Sequence, residues 1–292
     1  MSEETTPRIT SYGGLAADDY GHSDGRAPLV LIHGYTFDRM MWRSSMAELE
    51  SLDPGRRAIA FDIPGHGDSP DTASYSFRSV VAATRAAVLD AGLEPPVLVG
   101  HSGGAGIAAM YAAAYPSRGV VTVDGSLMVA DLAQMLHAMR PALEGQGFDE
   151  AWAAISGRVF GLEEVTPEVQ AFVAETSRPR QAVLLGYWQD LLDRAPREVQ
   201  AMIDETVTAI RRLGLPFVAV AGREASPTES TWLAANFPEA RTLVWAHSGH
   251  FPHLAHPREF GDLLGETAAW SRREGIGATV PQPTSLSAGS RP

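Results

Sequence analysis

The sequence predicts an α/β fold with a mainly parallel sheet, and three observations carry that prediction. Short runs rich in Val, Ile, Leu and Ala, bounded by Gly or Pro, alternate with longer Ala/Leu/Arg stretches of helical period. The short runs are apolar throughout, as strands buried on both faces require. The chain has 292 residues, 45% hydrophobic and 20% charged, enough for one large core or for a core carrying a smaller inserted piece.

Strands are expected at 28–33, 56–62, 96–100, 120–124, 215–221 and 242–245, and helices at 39–50, 76–91, 103–115, 228–237 and 257–272. From 126 to 214 there is no strand pattern, only amphipathic stretches punctuated by Pro141, Gly145, Gly147, Gly161, Pro167, Pro179 and Pro196. That interval reads as a helical insertion into a core made of 9–125 and 215–273. The polar leader 1–8 and the Gly/Pro/Ser/Thr-rich tail 274–292 read as disordered.

Composition excludes several functions. With 23 basic and 35 acidic residues and a net charge of −12, the basic footprint of a nucleic-acid binder is missing. Every basic residue is Arg, which excludes lysine Schiff-base chemistry and a P-loop lysine. Zero cysteines exclude disulfides, thiolate catalysis and Cys-type metal sites. The acidic N-terminus leads into no apolar signal segment, and no run is long enough to span a bilayer. The expectation is a soluble cytoplasmic protein acting on a small molecule, without nucleic-acid or membrane partner.

The strongest motif is Gly100-His101-Ser102-Gly103-Gly104, a G-x-S-x-G that follows an apolar strand and opens a helix. Such a turn is so tight that the residues two before and two after the serine must be nearly free of side chain, a condition Gly100 and Gly104 meet. A hydroxyl is a weak nucleophile and needs a base. His250 stands in the loop after the last expected strand and before the final helix. The repeat His247, His250, His253, His256 could suggest a metal, but Gly249 and Pro252 break the helix that would bring the rings to one face. No metal or cofactor is expected.

Four segments make the chain resemble the α/β-hydrolase superfamily over nearly all of residues 8–273. His33-Gly34-Tyr35-Thr36 is similar to the HG-x loop after the third strand, and Asp62-Ile63-Pro64-Gly65-His66-Gly67-Asp68-Ser69 to the D-x-P-G-H-G-x-S turn. Gly100 to Gly104 resembles the nucleophile elbow, and Gly249-His250-Phe251-Pro252-His253-Leu254 the histidine loop. The resemblance implies an α/β-hydrolase fold in which the insertion at 126–214 is the cap. It implies a triad of Ser102, His250 and an acid, and an oxyanion hole made by the backbone N–H groups of Tyr35 and Gly103. His33 is expected to brace its loop.

The acid departs from the commonest family pattern, which places Asp after the seventh strand as G-x-x-D. This chain has Gly222-Arg223-Glu224-Ala225 there, with Ala at the Asp position. Some branches carry the acid after the sixth strand, where Asp124 stands, and Asp124 is preferred. Glu224 is the runner-up, being one residue out of place but longer. The insertion's aromatic residues either line a pocket or fill its own core. Trp152 and Trp188, with Phe37 and Phe251, are the expected substrate contacts.

The function expected is a serine hydrolase that cleaves an ester or lactone of a small apolar or aromatic substrate through an acyl-enzyme on Ser102. Carbon–carbon bond hydrolases use the same triad and stay open. A cofactor-free quinolone dioxygenase working through a His250/Asp124 dyad is an alternative, weakened because Phe37 stands where that family carries an extra histidine. A non-catalytic ligand-binding member of the fold is the other.

Overall fold

The computed structural model describes residues 7–93 and 95–270. The chain opens with an antiparallel pair, β1 (Arg8–Tyr12) and β2 (Leu15–Tyr20), then runs through β3 (Leu29–Ile32), α1 (Arg43–Leu52), β4 (Ala58–Phe61), α2 (Phe77–Asp90), β5 (Val97–His101), α3 (Gly103–Ala114) and β6 (Gly119–Val123). Six helices follow: α4 (Ala130–Glu144), α5 (Phe148–Val159), α6 (Pro167–Thr176), α7 (Gln181–Tyr187), α8 (Gln189–Asp193) and α9 (Pro196–Leu213). The core resumes with β7 (Phe217–Ala221), α10 (Pro227–Asn236), β8 (Arg241–Val244), α11 (Pro252–Ala255) and α12 (Pro257–Glu266).

The eight strands form one sheet in the order β1-β2-β4-β3-β5-β6-β7-β8. β2 runs antiparallel to β1 and β4, and the remaining neighbours are parallel. Alternate side chains serve opposite faces. Val30 and Ile32 of β3 join the cluster that packs α2, α3 and α9, whereas Leu29 and Leu31 join the one that packs α1 and α12. Two-sided burial is why the central strands read as continuous apolar runs.

The hairpin β1/β2 was not expected from the sequence, and Arg8 opens β1 inside the stretch read as a leader. The rest of the expected leader and tail, 1–6 and 271–292, lies outside the described residues. β2 conceals its character because LAADDY places Asp18 and Asp19 inside the protein. Their charges are met by arginines distant in sequence: Arg39 and Arg43 on Asp18, Arg8 and Arg57 on Asp19. No local pattern announces such pairing.

Close packing at the C-terminal edge of β5 sets the site's position. A Cβ on Gly104 would stand 2.5 Å from the Ile32 carbonyl oxygen and 2.6 Å from that of His33. One on Gly100 would strike the Gly104 carbonyl and lie 2.7 Å from Ala105 Cα. These obstacles are backbone and cannot rotate away. Gly106, within α3, has nothing within 4 Å of such a Cβ. Gly104→Ala is therefore expected to destabilise the protein by about 3 kcal/mol or to prevent folding. Gly106→Ala should stabilise it by about 0.5–1 kcal/mol through helix propensity. Urea unfolding of the two variants beside wild type checks both signs.

Candidate active site

Ser102 is the residue between β5 and α3, and its backbone is held at φ 51°, ψ −123°. That conformation is unfavourable for a residue with a Cβ and persists only where the surroundings impose it. Here they are the Ser102 N–H bonded to the Val123 carbonyl at 2.9 Å, the Ala105 N–H bonded to the Ser102 carbonyl at 3.0 Å, and the crowding at Gly100 and Gly104. Gly125 belongs to the same contact, since a Cβ there would lie 2.6 Å from the Ser102 carbonyl oxygen.

β5 and β6 are paired with His101 opposite Val123, so the residue after each strand end, Ser102 and Asp124, emerges at the same sheet edge. Asp124 also has positive φ, 43°. Its carboxylate accepts two hydrogen bonds: from His250 Nδ1 at 2.5 Å and from the Gly222 N–H at 3.0 Å. Burial by itself would raise the Asp124 carboxyl. The hydrogen bond and charge of His250, the Gly222 amide and the Arg223 guanidinium outweigh it and hold the group below the ordinary carboxylate value. With Nδ1–H committed to Asp124, the neutral imidazole carries its lone pair on Nε2. No hydrogen bond joins His250 to Ser102 Oγ among the described residues.

Glu224 lies on the exposed surface, and the structure brings Asp124, not Glu224, to His250. The four histidines of the x-x-His repeat diverge. His247 is exposed, His256 bonds the Ala246 carbonyl at 2.9 Å, and His253 is buried with its ring 4.8 Å from that of Trp42.

Tyr35 and Gly103 meet beside the serine. The Tyr35 ring lies against Gly103, where a Cβ would come within 2.5 Å of it, and a Cβ on Gly34 would be 3.0 Å from Ser102 Cβ. The His33 loop is therefore pressed onto the turn, with the first N–H of α3 free of an intrahelical acceptor. His33 braces the loop: its Nδ1–H donates to the Gly34 carbonyl at 2.8 Å and its Nε2 accepts the Ile63 N–H at 3.1 Å. The turn at Asp62 is tied in turn to Arg39, whose backbone N–H donates to Asp62 at 2.7 Å and whose guanidinium pairs with Asp18, Asp62 and Asp68.

Of the expected substrate contacts, Phe37, Trp188 and Phe251 are 2%, 5% and 0% exposed, and Trp152 is partly exposed. Phe37 and Phe251 sit in one apolar cluster with Phe160, while Trp188 fills the core of the helical segment between β6 and β7. Apolar size at those positions is demanded by packing, which sequence alone does not separate from ligand contact. Two residues next to the site were placed by the sequence only in the serine motif and among the insertion's aromatic residues, without a link to His250. His101 donates Nε2–H to the His250 carbonyl at 2.8 Å, and Phe160 accepts the His250 N–H at 2.9 Å.

An eight-stranded, mostly parallel sheet with a serine on a positive-φ turn at the end of its fifth strand is the architecture of the α/β hydrolases. The chain belongs to the alpha/beta hydrolase family, whose model matches residues 29–263. It is 28% identical over 261 residues to the 2-succinyl-6-hydroxy-2,4-cyclohexadiene-1-carboxylate synthase of Serratia proteamaculans, covering 84% of this chain and 93% of that one. It is 25% identical over 260 residues to the pimeloyl-(acyl-carrier protein) methyl ester esterase of Yersinia enterocolitica, covering 85% and 95%. The haloalkane dehalogenase DbeA of Bradyrhizobium elkani shares the fold, with a TM-score of 0.67, 19% identity and 90% and 97% of the two chains covered. No helix among the described residues is long and apolar enough to cross a membrane.

Burial makes four histidines, His33, His66, His101 and His253, hold a proton less readily than a free imidazole. Burial pushes His33 down to about 4, His66 and His253 to about 3, and His101 well below its ordinary 6.5. Each is neutral in the fold but protonates in the unfolded chain, so its contribution is complete above pH 6.5 and is lost as pH falls toward the folded value. The unfolding free energy should therefore fall as the pH drops below 6.5, where the unfolded chain takes up protons that the folded histidines do not. Among the described residues His253 makes no hydrogen bond through either ring nitrogen, so His253→Phe removes a titration without removing any of the described bonds. Urea midpoints measured from pH 7.5 to 5 should fall less steeply in that variant, and an unchanged slope would refute the assignment.

Proposed function

We propose that the protein is a serine hydrolase of carboxylic esters, with Ser102 as nucleophile, His250 as base and Asp124 as the acid that orients it. The single observation that carries this reading is the 2.5 Å contact of His250 Nδ1 with Asp124, made at the sheet edge where Ser102 stands on a strained turn. His250 Nε2 takes the proton of Ser102 Oγ as the oxygen attacks the ester carbonyl. Asp124 stabilises the imidazolium so formed. The backbone N–H groups of Tyr35 and Gly103 receive the developing oxyanion. Collapse expels the alcohol, which takes the proton from Nε2, and water activated by the same base releases the acid from Ser102.

Similarity to an ester esterase supports the ester as substrate bond. The helical segment between β6 and β7 supplies the cap, and its partly exposed Trp152 favours an apolar or aromatic group on one side of that bond. A lactone is the cyclic form of the same bond and falls within the reading.

Similarity to a synthase favours a second reading, in which the same residues catalyse a reaction other than hydrolysis. Turnover in ¹⁸O-labelled water separates the two, because only hydrolysis places the label in the acid product.

Intact mass after exposure to a fluorophosphonate tests the nucleophile. A single adduct is expected on wild type and none on Ser102→Ala. Asp124→Asn should be labelled about 10²–10⁴-fold more slowly, and Glu224→Gln at the wild-type rate. Slow labelling of Glu224→Gln with normal labelling of Asp124→Asn would reassign the acid.

A further inference from the structure

The histidine loop is held from outside the core. The backbone N–H of His250 donates to the Phe160 carbonyl at 2.9 Å, and Phe160 follows α5, in the helical segment between β6 and β7. The ring of Phe160 lies parallel to the imidazole, 8° between planes and 5.9 Å between centroids. The two backbones meet at glycines of positive φ, Gly161 at 55° and Gly249 at 49°. A Cβ on Gly249 would stand 2.5 Å from the carbonyl oxygens of both Phe160 and Gly161. Phe160 also makes ring contacts with Phe37 at 5.7 Å, Phe251 at 5.3 Å and Trp152 at 6.0 Å.

We infer that Phe160 is a positioning residue for the base: its carbonyl and ring hold the His250 backbone and imidazole plane, so the helical segment controls whether the base stands in line between Asp124 and Ser102. This rests on the functional reading above for its catalytic consequence, but its geometric core does not. The imidazole is bounded by the Asp124 carboxylate at Nδ1 and by the rings of His101 at 4.9 Å, Phe251 at 5.5 Å and Phe160 at 5.9 Å, of which Phe160 alone lies parallel to it. A hydrogen bond at one nitrogen leaves the ring free to tilt about that bond, and a flat apolar neighbour removes the tilt. The backbone bond sets where the loop sits, and a displacement of about 1 Å there suffices to lower a reaction rate about 10²-fold. Because Phe160 also touches the partly exposed Trp152, an apolar substrate group resting on Trp152 presses on the residue that aligns the base.

The test uses full-length protein, with Phe160→Ala, Phe160→Leu and Phe160→Trp compared with wild type. Two readouts are taken: the far-downfield proton resonance of the His250 Nδ1–H to Asp124 bond, and the fluorophosphonate labelling rate split into its limiting and half-saturation constants. Phe160→Ala should broaden or abolish the resonance and reduce the limiting rate about 10–100-fold, with the half-saturating concentration changed less than about threefold. Phe160→Trp, which restores a flat ring, should recover the resonance and come within about threefold of wild-type labelling. Phe160→Leu fills the space without a flat face and should behave like Phe160→Ala while remaining folded by circular dichroism. An unchanged resonance in Phe160→Leu, or a labelling loss confined to half-saturation, overturns the inference. If wild type shows the resonance but takes no label, the serine reading fails, while loss of the signal in Phe160→Leu still supports the positioning role.

Discussion

Ser102 is held at positive φ without being glycine, as are Thr36 and Asp124 beside it, and the C-terminal edge of the sheet is organised around the strained serine turn. The strain is balanced by backbone packed so closely on either side that Gly34, Gly100, Gly104 and Gly125 have no room for a methyl group without displacing a neighbour. Those contacts join β3, β5, α3 and the residues after β6 into one rigid corner. The loop carrying Tyr35, the first N–H groups of α3 and the Asp124 carboxylate all take their positions from it. Preorganisation here is steric before it is electrostatic.

Around that corner lies a layer of ionic and imidazole groups that are buried because each has a defined duty. Arg39 gathers Asp18, Asp62 and Asp68, which ties the hairpin, the loop after β3 and the turn after β4 together. Asp18 and Asp62 are fully buried, so removing Arg39 would leave buried negative charge poorly paired. His33 and His101 work in the neutral form as fixed donors to the Gly34 and His250 carbonyls. Their low affinity for protons follows from burial, and it keeps the loops in one arrangement at neutral pH.

Legibility in the sequence differed by physical cause. The central strands could be read because both faces are buried and every position had to be apolar. The hairpin could not, since β1 is largely exposed and β2 carries two aspartates whose partners are far along the chain. At the site, Ser102 announced itself through its glycines and His250 through its place after the last strand. The aromatic residues were harder, because Phe251 and Phe37 satisfy packing and ligand contact with the same side chain. From the sequence Phe160 is only one of the insertion's aromatic residues, with nothing to link it to His250. Its role depends on a carbonyl oxygen, which every residue possesses, and on a ring plane that only folding orients.

By itself the sequence determined the order of the core strands and helices from β3 onward and the turn that strains Ser102, because these depend on local sterics and on apolar periodicity, and the family resemblance supplied the two candidate acids. Only the tertiary structure brought Asp124 against His250 with Glu224 left in solvent, buried three of the four expected aromatic contacts, and laid Phe160 on the imidazole. Each of those outcomes depends on distances between segments scores of residues apart, and such distances are set by how sheet and helices pack, which no local pattern encodes.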